Sequence, residues 1–221
     1  MRKAAIVAGA AYLAMFVPAI FANFFVLSGL VVEGDAATTT QNIIANELLF
    51  RGGTASFLFV AVLDVVVALG VYVFLRPAGK SLSLLAAWFR VAYAAVFITS
   101  LANLARIPGL LHGADYLADQ LQAQVMLSLN AFDTGWMVGL LFFGCHLLVI
   151  GYLALKSDYI PSFIGALLVI AGLGYLVDTL GTIMASGYGL SVGQYTFIGE
   201  LVFPIWLLLR GGRNTEDEAP A

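Results

Sequence analysis

Four ionisable side chains lie deep inside apolar stretches of this 221-residue chain: Asp64, Arg90, His146 and Glu200. An ionised group in hydrocarbon costs on the order of 3 kcal/mol, so residues of this kind are expected to face partners rather than lipid. One cation, one imidazole and two carboxylates can offset each other's charge, and the imidazole adds a group that exchanges protons near neutral pH. At 1.5 Å of rise per helical residue, Arg90 lies about 12 Å from the basic end of its segment, His146 and Glu200 about 15 Å, and Asp64 about 18 Å. The four therefore fall at nearly one level and are predicted to form a buried polar network. A packing role that fixes helix register stands beside any role in proton or ligand handling.

A second group, Asn23, Asn103, Arg106, Asn130, Asp133 and Asp178, falls in the outward third by the same count and is expected to line an outer cavity. Tyr12, Tyr93 and Tyr175 place hydroxyls between the two levels. The chain has no nucleophile elbow, phosphate-binding glycine loop or His-Glu-x-x-His zinc motif. Its single cysteine, Cys145, and two histidines, His112 and His146, make a metal centre improbable, and no cofactor is expected.

Composition says what must hold these residues. The chain is 62% hydrophobic and 10% charged, with mean hydropathy +0.98, whereas soluble domains carry about 25% charged residues. Lipid is therefore the expected solvent and the bilayer the expected partner. Ten Lys+Arg against 13 Asp+Glu, net −3, argues against a nucleic-acid surface.

Six apolar stretches approach the roughly 20 residues that a spanning helix needs. They run over 4–32, 54–75, 82–107 (before Pro108-Gly109), 130–155, from Ile160-Pro161 to about 186, and 194–210. Asp158 is placed to cap the fifth. Arg2, Lys3, Arg76, Lys80, Lys156, Arg210 and Arg213 share one side and only Arg51 and Arg106 flank the other, which predicts cytoplasmic termini. The expected fold is all-α: a polytopic membrane helical bundle over 1–210, N-in/C-in, with a disordered acidic cytoplasmic tail over 211–221.

Two connections carry their own periodicity. Ile43, Ile44, Leu48 and Leu49 recur at helical spacing within 36–50, which predicts an interfacial helix on the outer leaflet. Residues 115–129 read either as a second such helix or as an extension of the fourth span. Glu47 and Arg51, four apart, read as a helix-stabilising pair. Gly144, Gly151, Gly165, Gly172, Gly174 and Gly181 read as close-packing positions between helices.

Several runs carry a family likeness. Gly34-Asp35-Ala36, Thr40, Asn42-Ile43, Ala45, Glu47 and Leu49-Phe50-Arg51 form one. Arg76-Pro77, Ser81-Leu82, Leu84-Leu85-Ala86 and Phe89-Arg90 form the next, followed by Phe143-Gly144, His146-Leu147-Leu148 and Gly151-Tyr152-Leu153. Then come Tyr159-Ile160-Pro161, Gly165, Ala171-Gly172, Gly174-Tyr175-Leu176 and Asp178, and finally Gly199-Glu200-Leu201 with Trp206. In this order they resemble the prokaryotic six-span membrane family catalogued as domain of unknown function 4386. The resemblance implies a six-span protein of a prokaryotic plasma membrane and implies no reaction, catalytic residue or cofactor.

Three functions fit the residues. A small-molecule or ion binding and transport bundle uses midplane polar groups of this kind. A membrane-embedded enzyme on a lipid-like substrate would use Glu200 or Asp64 as acid-base group with His146. A non-catalytic membrane partner or sensor would work through residues 36–50.

Overall fold

The computed structural model describes residues 1–113 and 120–211; the expectations for the acidic tail and for the start of the 115–129 stretch lie outside the described residues, apart from Gly211. Every regular element among them is helical. Six helices are long and apolar enough to cross a membrane: α1 (Arg2–Leu30), α3 (Glu47–Leu75), α4 (Lys80–His112), α5 (Leu121–Lys156), α6 (Ser162–Met184) and α7 (Val192–Leu209). Between the first two lies α2 (Ala36–Ala45).

Several boundaries differ from those expected. Helix α4 runs through Pro108 to His112. A proline this close to a helix end removes one hydrogen bond, the one its N–H would have made to Leu104, and the last turn absorbs that loss. Residues from Leu121 onward are a continuation of the fourth span. The 36–50 stretch is two helices, because Asn46 leaves helical geometry (φ −127°, ψ 38°) and Glu47 opens α3. Pro161, rather than Asp158, occupies the cap position of α6, and it makes no side-chain cap bond.

Two local features follow from sequence chemistry. Asp35 accepts from the Thr38 N–H at 2.9 Å and the Thr38 hydroxyl at 2.7 Å, capping α2. Gly34 just before it takes φ +76°, which residues with a Cβ rarely adopt. In α1, Pro18 precedes a π-helical segment, Phe21–Leu27. Extra residues per turn rotate the segment beyond it, and Val26 there packs against Gly53 of α3, where a Cβ would lie 2.8 Å from Val26 Cγ1.

The chain forms two compact units, each drawn from several helices. One comprises Met15–Val62 and Ala95–Trp136. Its core is a ring cluster in which Phe57, Phe97, Phe132 and Trp136 all touch one another, with centroids 5.5 to 6.3 Å apart.

The other comprises Met1–Ala14, Leu63–Ala94 and Met137–Ala221. Here α5 and α6 meet backbone to backbone. Gly144 opposes Gly172 and Gly151 opposes Gly165, and a Cβ at any of the four would lie 2.8 or 2.9 Å from the opposing carbonyl oxygen. The pairs are seven residues apart on each helix and run in opposite directions, which is an antiparallel seam of small residues. At the terminal end, the Arg2 guanidinium donates to the carbonyls of Leu208 (2.8 Å) and Gly211 (3.0 Å) and, at 3.4 Å, to Leu207. This first-helix cation satisfies the last carbonyls of α7 and complements its dipole.

Candidate functional site

The second of these units holds a polar cluster to which each of the six spanning helices contributes a side chain. Arg90 of α4 is its hub, 2% exposed. Its Nη2 lies 2.6 Å from Asp64 Oδ1 of α3, a pair buried on both sides. Its Nη1 donates to the Tyr12 hydroxyl of α1 at 2.8 Å and approaches His146 Nε2 of α5 at 3.3 Å. The cation also stacks on two rings: Cζ lies 4.5 Å from the Tyr12 centroid and 5.3 Å from that of Phe143. Ring faces of this kind supplement a single carboxylate in holding a desolvated guanidinium.

The partners of His146 define its tautomer. Nδ1 lies 2.8 Å from the Ala86 carbonyl oxygen, which can only accept, so Nδ1 carries the proton. Nε2 then presents its lone pair to the Arg90 N–H, and the imidazole is neutral in this arrangement. Phe143 stacks on the imidazole at 6.1 Å.

Glu200 of α7 is in the electrostatic field of Arg90, its own charge reaches Tyr12, and it interacts with the Tyr175 side chain of α6. No ion pair joins it to Arg90 among the described residues. The cluster is thus a tight core of Asp64, Arg90, His146 and Tyr12, with Glu200 and Tyr175 beside it. Several of its polar atoms are buried with no hydrogen-bond partner: Arg90 Nε, both Asp64 oxygens (Oδ1 in the ion pair only) and Glu200 Oε1. In an apolar interior each such atom costs about 1–3 kcal/mol, a penalty that native structures seldom carry without a reason.

The outward set is arranged differently. Asp178 sits in the same unit as the Arg90 cluster, while Asn23, Asn103, Arg106, Asn130 and Asp133 sit in the other. Asp178 is engaged by its own loop: Oδ1 accepts from the Tyr188 hydroxyl (2.7 Å) and the Val192 N–H (2.8 Å), and Oδ2 from the Gly193 N–H (2.7 Å). It therefore caps α7 from 14 residues away, where the local cap residue Ser191 makes no such bond. Donating to Asp178 holds the Tyr188 phenol above its ordinary pKa. Asn103 Nδ2 donates to the Ser100 backbone carbonyl of its own helix at 3.2 Å, and the Asn23 backbone carbonyl accepts from the Ser28 hydroxyl at 3.0 Å. Arg106, Asn130 and Asp133 are exposed. Among the described residues no hydrogen bond or ion pair joins any two of Asn23, Asn103, Arg106, Asn130 and Asp133.

One contact had no signal in the sequence. His112 Nε2 lies 2.6 Å from Glu47 Oε2, and Arg51 Nη2 lies 2.7 Å from Glu47 Oε1. The Glu47–Arg51 spacing was readable, but His112 is 65 residues away.

Six apolar helices, with ionisable groups turned toward one another within one unit, define a polytopic α-helical membrane protein whose setting is a lipid bilayer. Residues 7–211 match the family described as domain of unknown function DUF4386, and the chain belongs to that family. An Archaeoglobus fulgidus relative that bears the name uncharacterized protein is 38% identical over 157 residues, which cover 71% of this chain and 82% of the relative. No solved structure gives a significant match.

Proposed function

We propose that this is a small-molecule or ion binding and transport protein of a prokaryotic plasma membrane, with both termini cytoplasmic, working through the Arg90 cluster. The observation that carries the reading is the set of buried, unpartnered polar atoms, Arg90 Nε, Asp64 Oδ2 and Glu200 Oε1. A cluster that served only to lock helices together would gain by saturating them, whereas a site that takes up a polar occupant must keep hydrogen-bonding capacity free. The proposal rests on the cluster alone.

The orientation is supported by the side on which Arg2, Lys3, Arg76, Lys80, Lys156 and Arg210 gather. The Arg2 contact with the Gly211 carbonyl supports placing these two residues on one side.

The test is proton and monovalent-cation flux in liposomes reconstituted with the purified protein. Glu200→Gln and Arg90→Gln, each shown to be monodisperse and helical, are expected to lower flux at least tenfold. Flux that both substitutions leave unchanged would remove the transport reading.

A further inference from the structure

A charge inventory of the cluster leaves one acid unanswered. Asp64 and Arg90 neutralise each other at 2.6 Å. His146, with its proton on Nδ1 and its lone pair toward Arg90, adds no charge. The phenols of Tyr12 and Tyr175 interact with Glu200, Tyr93 interacts with both Arg90 and Tyr175, and Asp178 interacts with Tyr175. None of these is a second cation. An ionised carboxylate in such a place collects two or three donors. Glu200 has the Tyr175 hydroxyl, and its Oε1 has none.

We propose that Glu200 is a proton-binding site, with Tyr175 as the hydroxyl that positions its carboxyl and the Asp64–Arg90 pair as a fixed charge beside it. This deepens the transport reading and rests on it for its purpose, though not for its chemistry. The step is a simple exchange: hydronium gives a proton to the Glu200 carboxylate and leaves water, and the reverse step returns it. The cluster then alternates between neutral and singly negative. A neutral carboxyl requires fewer donors than a carboxylate, which accounts for the open Oε1. An alkali cation fits less well, because hard cations gather several oxygen ligands, whereas a proton needs only the one carboxylate oxygen that takes it.

Infrared difference spectra of the full chain in lipid nanodiscs read this directly through the carbonyl stretch of a protonated carboxylic acid. Wild type is expected to show such a band, to shift it in heavy water and to lose it reversibly as pH rises. Glu200→Gln should lack it, and Tyr175→Phe should keep it at higher frequency because one hydrogen bond is gone. Should Glu200→Gln fail to fold, the Tyr175→Phe shift carries the assignment. The proposal is overturned by absence of the band at every pH where the protein is folded, by its survival in Glu200→Gln, by a Tyr175→Phe spectrum identical to wild type, or by its removal on adding sodium at fixed pH. A band that behaves as stated in a protein without flux would keep the proton site and discard transport; flux without the band would do the reverse.

Discussion

Gly144 of α5 and Gly172 of α6 lie so close that a Cβ on Gly144 would stand 2.9 Å from the Gly172 carbonyl oxygen, and one on Gly172 2.8 Å from that of Gly144. Backbone cannot move aside as a flexible side chain can, so the seam tolerates no methyl without separating the helices. Gly144→Ala and Gly172→Ala are each expected to destabilise the protein by about 1–3 kcal/mol. Gly52, also in a helix but with nothing within 4 Å of a built Cβ, is the control: Gly52→Ala should be neutral or gain up to about 1 kcal/mol. Thermal unfolding in detergent measures both.

The Arg90–Asp64 pair predicts a non-additive pattern. Asp64→Leu alone leaves a buried guanidinium without its counter-charge and should cost about 3–5 kcal/mol, as should Arg90→Met. The double substitution removes both charges and should recover most of that loss. A double variant no more stable than the singles would mean that Tyr12, His146 and the rings, rather than Asp64, hold Arg90 in place.

Arg2 predicts a coupling between the chain ends. Arg2→Ala removes the donors from the last carbonyls of α7, a loss of about 1.5–3 kcal/mol for hydrogen bonds to a charged group. Faster amide exchange should be confined to the final turns of α7 and the first of α1. Arg2→Lys should restore part of the protection, since an ammonium keeps the charge without the planar fork.

The cap of α2 predicts an acid-sensitive start to that helix. Hydrogen bonds from Thr38 hold the Asp35 carboxyl below its ordinary value of 3.8. Because the folded pKa is the lower one, the stabilisation is complete above 3.8 and is lost as pH falls through that depressed value. Amide exchange over 36–45 should therefore rise at the acid end of that window. Asp35→Asn should remove the pH dependence while keeping part of the cap.

What the sequence determined by itself is what depends on position along one axis. Apolar run length set the six spans, and residue count put Asp64, Arg90 and His146 close enough along their helices to meet, because helical rise is the same for every residue. Gly144, Gly151, Gly165 and Gly172 were readable as packing positions for a related reason: a missing side chain is visible in the sequence. Tertiary structure decided everything that depends on rotation about the helix axes and on distant chain. It placed the Tyr12 hydroxyl and the Phe143 ring on Arg90, left Glu200 outside the ion pair, and brought Asp178 to the start of α7 as its cap. It also brought His112 to Glu47. Each of these contacts joins residues whose separation in sequence carries no period, so only packing in three dimensions fixes them. The π-helical turn after Pro18 shows the same limit within one helix, since a change in residues per turn rotates every later side chain while leaving hydropathy untouched.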